Sequence, residues 1–238
     1  GLWPETPYTG NSYQPHPTPK AAYAAMISFF DKQVGRLLHL LQELDLDDRT
    51  IVFLTSDNGT THLKEQVDAE FFRSVGGLRG LKGSVYEGGI RVPLIVRWPG
   101  RVPPRTQSDL LCAHYDALAT LLDVAGLPAP ADTDGISYLP TLLGRGDQQP
   151  AHRYLFWDFA GYGGQLAVRM GRWKGVQRDV RKNAAAPVEL YDLQVDPGEA
   201  TDVAAQQPAV VAQIRQLLRD ARDPPLVEDF RFGLYRRP

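Results

Sequence analysis

The sequence predicts an α/β protein, in which a layered α/β part is followed by a smaller antiparallel β part. Residues 19–126 alternate helix-type and strand-type patterns, as expected when helices pack on a sheet. Two apolar runs, IVFLT at 51–55 and PLIVRW at 93–98, are typical of strands covered on both faces. After residue 148 the pattern changes to short aromatic or alternating strands between turn residues.

The composition is that of a folded protein and excludes several function classes. The 238 residues are 43% hydrophobic, which is enough for a sizeable core. The 26 basic and 28 acidic residues give a net charge of −2, so we expect no nucleic-acid partner and no anionic membrane surface. No apolar segment has the length of a membrane span. Cys112 is the only cysteine, which excludes an internal disulfide.

A long amphipathic helix is predicted over residues 19–44. Thr18 is the expected N-cap, and Pro19 suits the first helical position because its missing N–H costs nothing there. Apolar residues recur at helical spacing, which places one face of the helix in the core. They are Ala22, Met26, Phe29, Phe30, Val34, Leu37, Leu38, Leu41 and Leu44. The polar run DLDDR then ends the helix before the first strand.

A long connection is predicted between the two apolar strands, over residues 57–90. It is rich in glycine, and connections of this length without a clear element are usually functional. The second strand ends in a Pro-Gly turn, and YDALATLLDVAG at 115–126 predicts another helix that Gly126 stops.

The remaining residues predict an antiparallel meander and a last helix. The strand candidates are RYLFWDF, QLAVRMG, RWKGVQR and VELYDL, and the helix covers about residues 208–219. We place a domain boundary near residue 148, with a larger α/β part at 1–148 and a small antiparallel-sheet part at 149–238.

The glycine-rich connection contains the residues that could carry chemistry. Asp57 and Asn58 end the first strand, and a carboxylate beside an amide is oxygen-donor chemistry suited to calcium or magnesium. The simpler alternative is a turn, because Asx residues bond their own backbone. Lys82 lies among glycines that allow close backbone approach to a ligand, so its ammonium could hold a tetrahedral anion; the alternative is a solvated surface lysine. His62 follows the Asp57-Asn58 pair and is an ordinary loop residue by default.

Taken together, these segments resemble the sulfatase family of the alkaline-phosphatase-like superfamily. The resemblance begins at YAAMISFFDKQVGRLLHLLQELDLDDRTIVFLTSDNG and continues through LRGLKGSVYEGGIRVPLIVRWPG and DGISYLPTLLG. It ends with AVRMGRWK and ELYDLQVDPGE, which are similar to the family's C-terminal subdomain. The pairing of SDNG with LKGSVYEGGIRVP is its most specific part. The fold implied is part of an alkaline-phosphatase-like α/β/α sandwich, followed by a C-terminal subdomain with an antiparallel sheet and a helix.

The resemblance also implies roles for single residues. Asp57 and Asn58 match the second pair of ligands to the family's divalent cation, usually calcium and sometimes magnesium. Lys82 matches the lysine that contacts a sulfate-ester oxygen and offsets charge as the S–O bond breaks. His62 lies in a variable loop beside the site and is a candidate substrate-binding residue. A further set belongs to the same run and is expected to organise the loop: Arg79, Glu87 and Arg91.

Part of the family's catalytic apparatus is absent from these residues. Sulfatases use a formylglycine made within a C-x-P-x-R or S-x-P-x-R motif, and neither motif occurs here. The acidic pair that completes the family's metal site also has no equivalent. We therefore expect the chain to correspond to the C-terminal half of an arylsulfatase-type enzyme, to be inactive alone and to self-associate. The N-terminal half would be its partner and would carry the formylglycine.

Two alternatives remain open at this point. A phosphate or phosphonate ester hydrolase of the same superfamily would use many of the same contacts, because sulfate and phosphate are both tetrahedral. A non-catalytic module that binds sulfated ligands is the alternative outside enzymes. The expected substrate is an aryl or carbohydrate sulfate ester. Family members are often exported, but the first residues, GLWPETPYTG, lack the pattern of a secretory signal.

Overall fold

The structure, a computed structural model, describes residues 5–10, 13–61 and 68–235. His62, a predicted substrate-binding residue, lies outside these ranges. No helix in the described ranges is long and apolar enough to cross a membrane.

The first helix, α1, spans Pro19–Glu43 and starts where the sequence predicts. The prediction that Thr18 caps it is wrong, because the Thr18 side chain makes no capping hydrogen bond. The carboxylate of Glu5 takes this role, accepting the backbone N–H of Lys20 at 2.5 Å and of Ala21 at 3.2 Å. A negative charge at this end also interacts favourably with the helix dipole.

Much of the apolar face of α1 is exposed in the described chain. The prediction that this face lies in the core is wrong for the described residues, since none of the residues in α1 is buried. Phe29, for example, is 65% exposed. The helical spacing of the apolar residues is correct, but in the described chain Val34, Leu38 and Leu41 are only half-buried.

The two apolar runs form a small antiparallel sheet. Strand β1 spans Val52–Thr55 and strand β2 spans Leu94–Arg97, with Val52 opposite Arg97 and Thr55 opposite Leu94. The guanidinium of Arg97 donates to both carboxylate oxygens of Asp47, at 2.5 and 2.7 Å, and so ties β2 to the chain just before β1. The prediction that both faces of these strands are covered is wrong within the described chain, because Leu94 and Ile95 are exposed.

The described residues between β1 and β2, at 56–61 and 68–93, lie mainly in turns, as predicted, and include the single-turn helix α2, Glu87–Ile90. Helix α3 spans Asp116–Val124, and Gly126 follows its C-cap with a φ of +69°, which confirms the predicted stop. Helix α4 spans Leu139–Leu142.

The buried carboxylate of Asp116 accepts the backbone N–H groups of Ala113 and Ile136 and pairs with His152 Nε2 at 2.7 Å. It therefore joins the start of α3 to the chain that leads into the C-terminal sheet.

The C-terminal part is the predicted meander. Its strands are β3 (Leu155–Phe159), β4 (Gln165–Met170), β5 (Trp173–Gln177) and β6 (Glu189–Asp192), antiparallel in the order β3-β4-β5-β6. Helix α5, Pro208–Asp220, packs on one face of this sheet through Ile214, Leu217 and Leu218. Short 3-10 helices lie at Asp47–Arg49, Gly146–Gln148, Ala204–Gln206 and Glu228–Phe230.

The other face of the C-terminal sheet is covered by the glycine-rich connection. Val85 and Tyr86 are buried against sheet residues, forming a second apolar cluster. Its members from the sheet side are Ala167, Val176, Tyr191 and Leu193. The connection that carries Lys82 is therefore held by the C-terminal sheet, across the predicted boundary near residue 148.

Candidate functional site

Asp57 and Asn58 lie in a turn that begins directly after β1. The Ser56 hydroxyl donates to the Asn58 carbonyl oxygen at 2.8 Å, and Asn58 Nδ2 donates to the Gly59 carbonyl oxygen at 3.0 Å. These bonds fix the turn and leave Asn58 Oδ1 as the amide atom for a cation. Asp57 is exposed and Asn58 half-buried, so both are at the surface of the described chain.

Gly59 brings this turn into contact with α2. Its N–H donates to the Gly89 carbonyl oxygen at 2.9 Å, and a methyl group on Gly59 would lie 1.9 Å from the Gly88 carbonyl oxygen. A side chain at this position would force the two backbones apart. The SDNG and EGG segments are therefore paired through backbone atoms.

Lys82 is joined to the same turn through its backbone. Its N–H donates to the carbonyl oxygen of Thr60 at 2.8 Å, two residues after Asn58. The lysine is exposed. The structure thus brings Lys82 to the Asp57-Asn58 turn although the two lie far apart in sequence.

A buried group of charges lies beneath α2. Lys174 is fully buried, and its Nζ contacts Glu87 Oε1 at 2.7 Å and Glu199 Oε1 at 3.3 Å. The backbone N–H of Glu87 also donates to Glu199 Oε2 at 2.7 Å. Arg91 and Arg169 lie farther from Glu87, at 3.6 and 4.0 Å. Burial raises the pKa of the Glu199 carboxyl above its ordinary value, against the opposing effect of the Lys174 ammonium.

Arg79 connects the same loop to strand β6. Its guanidinium donates to the Tyr191 hydroxyl at 2.8 Å and to the Glu199 carbonyl oxygen at 2.9 Å, and it lies 3.9 Å from the Tyr86 ring centroid. The Tyr86 and Tyr191 hydroxyls both donate to the Glu189 carboxylate. Burial raises the pKa of Tyr191 to about 12, so its hydroxyl remains a donor at neutral pH. The predicted loop-organising role of Arg79 and Glu87 is confirmed by these contacts.

Sequence reasoning missed most of the partners of these loop residues. Lys174 and Glu199 are 87 and 112 residues away from Glu87, so no local spacing connects them. One signal was available: strand alternation places Lys174 on the same sheet face as the buried Val176. A lysine at an inward position requires a carboxylate partner, because an unpaired buried charge is very costly.

The donor set of the turn fits part of a calcium or magnesium site. A carboxylate and an amide oxygen are ligands that these cations take in proteins. In the ranges that the structure describes, no three His, Cys, Asp or Glu side chains cluster as a metal centre. Calcium takes about six to eight oxygen ligands, so Asp57 and Asn58 could supply only a share of them.

Comparisons with known proteins identify the family of the chain. A sequence model of the sulfatase family matches residues 3–127, and one described as N-sulphoglucosamine sulphohydrolase, C-terminal, matches residues 81–223. The chain is 33% identical over 210 residues to the N-acetylgalactosamine-6-O-sulfatase of Bacteroides thetaiotaomicron, covering 81% of this chain and 40% of that relative. It is 32% identical over 214 residues to arylsulfatase A of Homo sapiens, covering 79% of this chain and 40% of that relative.

A solved structure gives the same result for the fold. It is that of a protein in complex with its substrate D-glucosamine-2-N,6-O-disulfate, with a TM-score of 0.63 and 26% identity over 79% of this chain and 37% of that one. The chain has the alkaline-phosphatase-like α/β fold. Within that class, it belongs to the sulfatase family. It spans 40% of the length of the two curated relatives described above.

Proposed function

We propose that this chain forms one side of the active site of a sulfuric ester hydrolase. Asp57 and Asn58 bind the divalent cation, calcium or magnesium, and Lys82 binds an oxygen of the sulfate group. The observation that carries the proposal is the 2.8 Å hydrogen bond from the Lys82 N–H to the Thr60 carbonyl oxygen. In this member of the sulfatase family, it joins the loop that carries Lys82 to the turn that carries Asp57 and Asn58. His62 follows the same turn in the sequence and is proposed to contact the substrate.

The chain's own residues would act by holding and neutralising charge. The cation polarises the sulfate ester when it is bound. Asp57 and Asn58 would hold the cation at the end of β1. Because hydrogen bonds already fix the SDNG turn, these ligands need little reorganisation during the reaction. Lys82 offsets negative charge as the S–O bond breaks, so its effect is greatest in the transition state.

Other components of the site are proposed to come from residues outside this sequence. The 238 residues contain no C-x-P-x-R or S-x-P-x-R motif from which a formylglycine could form. Without it there is no covalent acceptor for the sulfuryl group. We propose that a segment with the nucleophile and the remaining acidic ligands completes the enzyme, and that these 238 residues alone have no turnover.

An aryl or carbohydrate sulfate ester is the proposed substrate. Two relatives carry the names N-acetylgalactosamine-6-O-sulfatase and arylsulfatase A, and one solved neighbour contains a disulfated glucosamine as its substrate. These names support a ring-bearing sulfate ester.

The proposal is tested with the catalytically complete sulfatase that contains this chain. Asp57→Ala should lower calcium affinity at least about 10-fold, measured by calorimetry, and lower turnover of 4-nitrophenyl sulfate with it. Lys82→Ala should lower turnover about 100- to 1,000-fold and leave calcium affinity unchanged. Asp147→Ala and Lys32→Ala, at exposed positions, serve as matched controls.

Three results would contradict the proposal. Unchanged calcium affinity in the Asp57→Ala variant would remove the metal site from this turn. Faster turnover of 4-nitrophenyl phosphate than of the sulfate would favour the phosphate-ester alternative. Metal-dependent sulfate binding with no turnover in the complete protein would favour a binding module.

A further inference from the structure

The turn between β3 and β4 places an aromatic ring against Gly83, the residue that follows Lys82. A methyl group on Gly83, the residue after Lys82, would lie 2.5 Å from Tyr162 Cε2, 3.3 Å from Cδ2 and 3.5 Å from Cζ. The edge of the Tyr162 ring therefore lies directly over the backbone of Gly83. Any side chain at Gly83 would displace this ring.

The contact is held in place by Gln165, the first residue of β4. Its Nε2 donates to the Gly83 carbonyl oxygen at 3.0 Å, and its Oε1 accepts the Val85 N–H at 3.4 Å. Gln165 is buried, so both bonds are shielded from water. The hairpin and the loop that carries Lys82 are thus fixed relative to each other.

Tyr162 has an uncommon backbone conformation and a largely solvent-exposed side chain. Its φ is +49°, in the left-handed region that tyrosine rarely adopts, while the next residues with positive φ are glycines, Gly163 and Gly164. The side chain is nevertheless 67% exposed, with the Phe159 ring 5.8 Å away on one side. A strained, exposed aromatic residue is a poor choice for stability alone.

We infer that the Tyr162 ring is the contact surface for the organic group of the sulfate ester, a pyranose or aryl ring. This rests on the proposed function, in which Lys82 binds the sulfate. A sulfate ester places its organic group one oxygen atom from the sulfur, so a ring that contacts the residue after Lys82 is placed to reach the organic part of the bound ester. Tyrosine offers a large, rigid and amphipathic surface for such a ring, with little conformational entropy to lose.

The inference is tested by separating ring binding from sulfate binding in the catalytically complete sulfatase. In the Tyr162→Ala variant, KM for 4-nitrophenyl sulfate should rise about 3- to 10-fold, with kcat little changed. The inhibition constant of inorganic sulfate, which has no ring, should stay as in the wild type. Tyr162→Phe keeps the ring and should retain the wild-type KM.

A Lys82→Ala variant distinguishes this inference from the proposed function. It should raise the inhibition constant of inorganic sulfate, which Tyr162→Ala does not. An unchanged KM in Tyr162→Ala would overturn the role of Tyr162 and leave the sulfate site intact. An equal loss of ester and inorganic sulfate binding in Tyr162→Ala would also overturn it, because the ring would then act only by supporting the Lys82 loop. If Lys82→Ala binds inorganic sulfate normally, the proposed function fails instead.

Discussion

Lys174 is a buried cation that holds α2, the helix in contact with the candidate site. It is fully buried between Glu87, at the start of α2, and Glu199, which follows β6. Removing one member of a buried charged group leaves its partners uncompensated in a medium of low dielectric constant. Since α2 contacts the SDNG turn, loss of this lysine should change the geometry of the site as well as the free energy of unfolding.

We predict that Lys174→Met lowers the free energy of unfolding by about 3–5 kcal/mol, because two buried carboxylates lose their shared cation. Glu199→Gln should lower the free energy of unfolding by less. Burial already raises the pKa of this carboxyl, so its charged form is less favoured than that of an exposed glutamate. Urea unfolding followed by circular dichroism measures both. Lys182→Met, at an exposed lysine, is the matched control and should change stability little. Equal stability of Lys174→Met and wild type would contradict the prediction.

At this scale, local residue patterns predicted the turn and the candidate ligands but not the residues that position them. Asp57, Asn58 and Lys82 stand in segments that resemble the sulfatase family. Lys174 and Tyr162 contact residues 83–87 only because β5 and the β3–β4 hairpin fold back onto them. The error at Thr18 has the same origin, since Glu5 caps α1 from 15 residues away.

At the scale of elements, the site consists of two backbone turns in direct contact. The N–H of Gly59 bonds to Gly89, and Gly88 lies too close to admit a Cβ on Gly59. The glycines of SDNG and EGG are thus explained by close approach of the two backbones. Glycine at these places serves packing, and the same contact sets the distance between the predicted metal ligands and α2.

We predict that Gly59→Ala separates the SDNG turn from α2, because the new methyl group meets the backbone of Gly88. In the complete sulfatase, calcium affinity should fall about 10-fold or more, as when residues supporting a metal ligand are changed. Calorimetric calcium titration measures the effect. Gly146→Ala is the matched control, since a methyl group there meets open space. Wild-type calcium affinity in Gly59→Ala would contradict this account of the turn.

The sequence predicted the order and type of most elements correctly. It did not predict which of their apolar faces are buried against another layer. The four C-terminal strands and α5 match the prediction because alternation, turn residues and helical spacing are local signals. Coverage of α1, β1 and β2 depends on a partner layer, and periodicity shows which face is apolar without showing what lies against it.

At the scale of the whole molecule, the described chain exposes large apolar side chains on α1, β2 and α3, which together make up its exposed apolar surface. The exposed residues are Met26, Ile27, Phe29, Phe30, Leu37, Leu40, Leu94, Ile95, Leu118 and Leu121. Surfaces of this kind are typical of interfaces and of aggregation-prone proteins. We propose that the segment carrying the nucleophile covers it in the complete enzyme.

We predict that the 238-residue chain alone self-associates, because this surface and the edges of the β1–β2 sheet are open to another chain. Sedimentation velocity should give a mean sedimentation coefficient that rises with concentration. Phe29→Glu places a charge at an exposed position of α1 and should weaken the association. Leu226→Glu is the matched control at an exposed leucine outside α1, β2 and α3. A single monomeric species at all concentrations would contradict the prediction.

The central claim is that the SDNG turn and Lys82 bind a divalent cation and a sulfate group together. A crystal structure of the complete sulfatase with calcium and inorganic sulfate tests it directly. The account predicts that oxygens of Asp57 and Asn58 lie about 2.3–2.6 Å from the cation. It also predicts that Lys82 Nζ lies about 2.7–2.9 Å from a sulfate oxygen. The account would be contradicted if Asp57 made only hydrogen bonds within its turn, or if an ordered Lys82 pointed away from the bound sulfate.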